Sequence, residues 1–210
     1  MTASTPSVKT CLIIGNGPSL ADVPNEFLSK YPTFGSNRVY LKFTPDYYAF
    51  CDKLWIGHYI DDIVALKCKE KFIRHEFAHL IPGAHPLYNN AQRREFSYQP
   101  YKWVHDGATV TFVHLQWAFY LGFERVGLIG VDHYYGYEGK PATLQTGREG
   151  AHFTPDYYDE HITYWRPNLQ RTELSYRIAR KAYEDAGREV INITAGTHLD
   201  VFDKEDWQTW

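Results

Sequence analysis

Thr10-Cys-Leu-Ile-Ile-Gly15 runs from a continuously apolar, β-branched stretch directly into the turn Gly15-Asn16-Gly17-Pro18-Ser19. This junction constrains the fold more than any other feature of the sequence. A strand that is apolar on both faces must be covered on both sides, which places it inside a parallel sheet. Arg125-Val-Gly-Leu-Ile-Gly130 and Glu189-Val-Ile-Asn-Ile-Thr194 repeat the pattern. Phe34–Tyr40, Tyr47–Cys51 and Lys71–Arg74 read as further strands. Helices are predicted over Ser19–Ser29, Leu54–Leu66, Thr109–Leu121 and Leu169–Ala186, with Gly122 and Gly187 as C-terminal stops. Strands alternating with helices give an α/β, Rossmann-like fold with a mostly parallel sheet and helices on both faces. The expectation is one nucleotide-binding domain over residues 1–210. Two loop-rich regions, about 75–104 and 134–164, lie over the sheet edge, the first forming a lid.

The chain has 210 residues, enough for one sizeable core. A formal net charge of -3 without basic clusters gives no bulk attraction for nucleic acid or anionic membranes. Cys11, Cys51 and Cys68 form no CxxC pair, which argues against a disulfide scaffold or zinc knuckle and for a reducing, cytoplasmic compartment. Met1–Lys9 carries no apolar signal-peptide core, and no apolar run reaches the roughly 18 residues of a membrane span. The 17 Tyr and 6 Trp exceed what a core needs, and such rings also line pockets for sugars and bases. Trp103, Trp117 and Trp207 read either as core or as an interface between copies of the chain in a homo-oligomer.

Ligands of open parallel sheets sit beyond the carboxyl ends of the strands. The first candidate group is therefore Gly15, Asn16, Gly17 and Ser19. Two glycines permit close backbone approach, and the start of the following helix suits a phosphate. The same turn is also compatible with a purely structural bend. It matches neither GxGxxG nor a P-loop. Asn16 can donate and accept, so it can hold a phosphate or a ribose. Asn37 and Asp52 end the second and third strands, where they serve either a ligand or as helix caps. Gly130-Val-Asp-His-Tyr-Tyr-Gly-Tyr137 gathers Asp132, His133, Tyr134 and Tyr137. No standard metal-ligand spacing accompanies them. His152 and His161 stand in a polar loop, where a general base can be placed on a rigid scaffold. There is no GxSxG elbow. Asp185, Glu189, Asp203 and Glu205 read as solvated surface charge.

Ile13-Ile-Gly-Asn-Gly-Pro-Ser-Leu20 followed by Gly35-Ser-Asn-Arg38 resembles the opening of the family 42 bacterial sialyltransferases. It also resembles the wider group containing archaeal 6-hydroxymethylpterin diphosphokinases and flagellin-glycosylating motility accessory factors. Gly107-Ala-Thr-Val-Thr-Phe-Val113, Leu121-Gly-Phe123, Leu128-Ile-Gly-Val-Asp132, His152-Phe-Thr-Pro-Asp156 and Asn192-Ile-Thr-Ala-Gly-Thr197 extend the resemblance along nearly the whole chain. It implies a Rossmann-like fold in which Gly15, Asn16, Gly17, Ser19, Asn37, Asp52, Thr109, Asp132 and Thr197 surround the nucleotide. It further implies a CMP-sialic-acid donor, no required metal, Tyr134 and Tyr137 on the leaving phosphate, and His152 as base with His161 second. The chain departs from the family in two places. Asp52 stands where those enzymes have Asn, and His105-Asp106-Gly107 offers no Arg ahead of the central helix.

The leading expectation is a transferase, specifically a glycosyltransferase moving a nucleotide-activated sugar onto a glycan acceptor in cell-surface glycan biosynthesis. The runner-up is an ATP- and Mg-dependent 6-hydroxymethylpterin diphosphokinase with Asp52 and Asp132 as the metal carboxylates. Third comes a nucleotide-binding accessory module that has lost its catalytic groups.

Overall fold

The computed structural model describes residues 8–135, 144–146 and 150–210. In chain order the elements are strands β1 (Thr10–Ile14), β2 (Thr33–Ser36), β3 (Tyr47–Phe50), β4 (Glu70–Arg74), β5 (His85–Leu87), β6 (Arg125–Ile129), β7 (Leu144–Thr146), β8 (Thr163–Trp165), β9 (Glu189–Asn192) and β10 (Asp203–Lys204). The helices are α1 (Asn25–Leu28), α2 (Ile56–Ala65), α3 (His75–Ala78), α4 (Val110–Tyr120) and α5 (Leu169–Asp185). Eight strands form one parallel sheet in the order β10-β9-β6-β1-β2-β3-β4-β5. β1 lies between β2 and β6, with Ile14 opposite Gly35 on one side and Ile129 on the other. The chain winds outward from β1 in one direction through β5, then returns to build β6, β9 and β10 on the other. The order therefore reverses at β1/β6, which opens a crevice at their carboxyl ends.

Alternation along the buried strands divides the core in two. Cys11, Ile13, Phe34, Val126 and Leu128 pack with α4 and α5 on one face. Leu12, Ile14, Tyr48, Phe50 and Ile129 pack with α1, α2 and the tyrosines of segment 157–164 on the other. The expected α/β sheet with helices on both faces is what forms.

Local departures have local causes. The helix expected over Ser19–Ser29 is two short pieces, a 3-10 turn at Pro18–Asp22 and α1. Pro24 removes a backbone donor and pushes Val23 out of helical geometry, to ψ 122. The second strand stops at Ser36 rather than Tyr40 because Asn37 turns the chain at φ 54. Four strands, β5, β7, β8 and β10, lie in stretches not read as such. β7 and β8 form an antiparallel ladder inside the region expected to be loop. The two-residue β10 extends the sheet edge at Asp203, whose exposed carboxylate meets Arg180 at 3.4 Å.

Candidate functional site

The crevice at the β1/β6 reversal is a cavity of about 510 Å³. Its lining brings together Gly15, Asn16, Gly17, Asn37, Asp52, Thr109, Asp132, Tyr134 and His152 from the predicted set. Ser19 and Thr197 are not on this lining. His161 is exposed and also off it. Tyr137 lies outside the described residues.

The turn after β1 is pressed against the end of β6. Gly15 N–H donates to Ile129 O at 2.7 Å and Gly17 N–H to Gly130 O at 2.8 Å. A Cβ on Gly15 would stand 2.3 Å from Gly130 O, and one on Gly17 would stand 1.9 Å from Asp132 Oδ2. The glycines thus permit protein–protein backbone approach here. Asp132 then takes the start of the 3-10 turn. Its Oδ1 accepts from Ser19 N–H at 3.0 Å and its Oδ2 from the Ser19 hydroxyl at 2.8 Å. The N–H donors of Gly15, Gly17 and Ser19 are thus engaged within the protein. A carboxylate sits where the anion was expected. Among the described residues no group of three His, Cys, Asp or Glu side chains is placed to hold a metal ion.

Thr197 has a structural task as well. Its hydroxyl donates to Val131 O at 2.8 Å and accepts from Asn192 Nδ2 at 3.1 Å, tying the loop after β9 to the end of β6. Thr109 caps α4, accepting from Thr111 N–H. Asp52 closes a tight turn by accepting from Leu54 N–H at 2.7 Å, and burial raises its carboxyl above the ordinary range.

Asn16 keeps an unused valence. Its Nδ2 donates to Ser36 O at 3.2 Å, which fixes the amide orientation and leaves Oδ1 buried with no partner. A lone buried acceptor calls for a donor, such as a ribose hydroxyl or an exocyclic base amine; a phosphate oxygen cannot supply one. Asn37 holds its left-handed turn through Tyr48, whose hydroxyl donates to Asn37 O at 2.6 Å.

His152 stacks face-on against Tyr157, with ring centroids 3.8 Å apart and 7° between planes, while Tyr158 meets it edge-on at 5.0 Å. Burial pushes the imidazole down to about 3, so it is neutral at physiological pH and a weak base while it stays buried. Its Nδ1 is buried without a partner. The segment carrying it is anchored twice. Phe153 N–H donates to Asn16 O at 3.1 Å. Arg38 Nη1 donates to Asp156 O at 2.9 Å and to Tyr157 O at 2.5 Å, its guanidinium lying over the Tyr59 ring at 4.4 Å.

Sequence reasoning missed a further wall of the cavity, which carries two arginines, each with a carboxylate partner. Arg74 at the end of β4 and Arg171 in the first turn of α5 both line the cavity. Arg171 Nη2 meets Asp106 Oδ1 at 3.2 Å, directly ahead of α4 where the resemblance calls for an arginine. Applying the strand-end rule to β4 would have found Arg74. Arg171 had no local signal, because only packing brings α5 to Asp106. The first turns of α4 (Thr109–Thr111) and α5 (Asn168, Arg171, Thr172) also line the cavity, so two positive helix ends face it. The anion-favouring surface is thus this wall.

No family model and no curated protein matches the chain. Among solved structures, a variant of the sialyltransferase CST-II in complex with CMP superposes with a TM-score of 0.50 at 15% identity, covering 92% of this chain and 85% of that one. The sialyltransferase CstII from Campylobacter jejuni with cytidine-5'-monophosphate gives 0.46 at 15% identity, over 93% and 84% of the two chains. The chain has a sialyltransferase-like fold. In that fold the cavity occupies the sheet's reversal point, and no described helix is long and apolar enough to cross a membrane.

Proposed function

We propose that the protein is a glycosyltransferase that uses a nucleotide-activated sugar, with a CMP-sialic-acid-type donor and a glycan acceptor. The observation that carries this reading is that one cavity is lined by His152, by Arg74 and Arg171, and by the first turns of α4 and α5. The sialyltransferase-like fold supports it.

The roles follow from the geometry. Asn16 Oδ1 accepts from the ribose or base of the donor. Arg74, Arg171 and the first turns of α4 and α5 hold the phosphate, and they also suit a donor sugar that carries a carboxylate. The acceptor hydroxyl oxygen forms a bond to the anomeric carbon as the bond from that carbon to the phosphate oxygen breaks. The electron pair leaves with the nucleotide, and the acceptor proton passes to His152. Charge developing on the phosphate meets fixed cations and dipoles, a stabilisation that requires no metal. Tyr134, at the cavity rim, adds a phenol to the departing phosphate.

Titration calorimetry with CMP, UDP and ATP, each with and without Mg²⁺, tests the donor class. Binding of CMP without metal is expected. Binding of ATP alone, and only with Mg²⁺, overturns the reading in favour of a diphosphokinase-like transfer. CMP binding with no turnover on any acceptor, and no slow donor hydrolysis, marks a binding module instead.

A further inference from the structure

The residues that follow β6 are held one by one. Val131 N–H donates to the Thr194 hydroxyl at 3.0 Å, and Asp132 accepts from the Ser19 hydroxyl at 2.8 Å. His133 then turns the chain through the left-handed region, at φ 56. Histidine enters that region at a cost that glycine avoids, and such a residue persists where its surroundings hold it. Here the hold comes from α5. His133 Nε2 lies 3.2 Å from Glu173 Oε1, and the imidazole packs beside the Tyr176 ring with centroids 6.4 Å apart. Glu173 and Tyr176 stand one turn apart on the same face of α5. The second oxygen of Glu173 meets Arg177 at 3.7 Å. The His133 side chain is only 5% exposed, although the residue itself is half-buried and lines the cavity. Its imidazole is therefore committed to α5, and the part turned outward is its main chain. The groups assigned above to the donor phosphate stand at the two ends of this link. Tyr134 follows His133 in the chain, and Arg171 precedes Glu173 in the first turn of α5.

We propose that the His133–Glu173 pair is a strut that sets the width of the phosphate subsite, holding Tyr134 at a fixed distance from Arg171 and the first turn of α5. His133 is then a positioning residue. It acts through Tyr134 and does not touch the reacting atoms. The proposal rests on the transferase reading for the phosphate; the link between the end of β6 and α5 stands without it. An anion gripped from two elements needs both at a set spacing, and a small misplacement of one loses much of the grip. The strained turn has its reason in the same link. Glycine at position 133 would relax the backbone and give up the imidazole that reaches α5. The nucleoside end of the donor, assigned to Asn16 on the β1 turn, lies outside the strut's influence.

Calorimetry on the full chain with CMP and cytidine tests the strut, because the two probes differ by the phosphate alone. His133→Gly fits the left-handed turn and removes the imidazole. It is expected to keep the melting temperature, to weaken CMP about tenfold and to leave cytidine unchanged. Glu173→Ala is expected to weaken CMP to the same extent. Glu173→Gln, whose carbonyl oxygen can still accept from Nε2, is expected to retain CMP affinity. Unchanged CMP affinity in His133→Gly or Glu173→Ala overturns the proposal. So does an equal loss for cytidine and CMP, since the damage then reaches beyond the phosphate, and so does a loss in Glu173→Gln as large as in Glu173→Ala. If the parent chain ignores CMP, the donor reading falls, and amide exchange over 129–134 decides the strut. Faster exchange there in Glu173→Ala upholds the link, and unchanged exchange removes it.

Discussion

Two walls of the cavity are built in opposite ways. The β1 turn is locked to the end of β6 by Gly15 and Gly17 and sealed by Asp132 on Ser19. It keeps one buried unused acceptor, Asn16 Oδ1. The wall carrying His152 is a segment held to the β1 turn by Phe153 N–H on Asn16 O and to the residues after β2 by Arg38. The difference separates scaffold from chemistry. The tightly bonded wall has few groups left to offer a ligand. The other wall carries His152, the proton acceptor of the proposed transfer.

The largest expected effect falls on the second wall. His152→Ala should lower turnover by about 10²–10⁴-fold, the usual contribution of a general base, with CMP affinity unchanged by calorimetry. Unaltered turnover would remove His152 from the mechanism and leave the comparison without a chemical side. On the first wall, Gly15→Ala should instead act on stability. Its Cβ would meet Gly130 O at 2.3 Å and Gly130 C at 2.8 Å, backbone atoms of the adjoining strand end. A loss of about 3 kcal/mol in a denaturant titration is expected. A neutral result would show that this wall can part from β6.

Acid should then distinguish histidines from both settings. Burial pushes His152 and His114 down to about 3, and unfolding returns them to the ordinary range near 6.5. Below that value the unfolded chain binds more protons, so stability is full above about pH 6.5 and falls as pH drops toward 3. At its steepest the slope approaches about 1.4 kcal/mol per pH unit for each histidine. His152→Ala should remove its own share of the slope and leave that of His114, which lies in the interior of α4. The smallest effect is expected at the anchor. Arg38→Gln should cost about 1 kcal/mol of local stability. Faster amide exchange over 150–158, with β1 and β6 unchanged, is the readout. Uniform acceleration would show that the two walls open together.

Much of the scaffold was legible in the sequence. Residues 10–15, 125–130 and 189–194 announced buried parallel strands by their unbroken apolar character, and the strand-end rule led to Asn16, Asn37, Asp52 and Asp132. The roles of these residues were less legible than their positions. Ser19 and Asp132, 113 residues apart, satisfy each other. Thr197 serves Val131, and His161 faces solvent. Arg74 and Arg171 come from β4 and α5, which only the folded sheet brings to one cavity.

By itself the sequence determined the layered α/β architecture, because burial on both faces of a strand writes an apolar run that needs no partner to be recognised. It also determined that the glycine turn after β1 would sit at the carboxyl edge of the sheet, where it lines the cavity. The tertiary structure alone decided which polar groups remained free. A hydrogen bond between residues over a hundred positions apart depends on which strands become neighbours, and local periodicity carries no record of that choice.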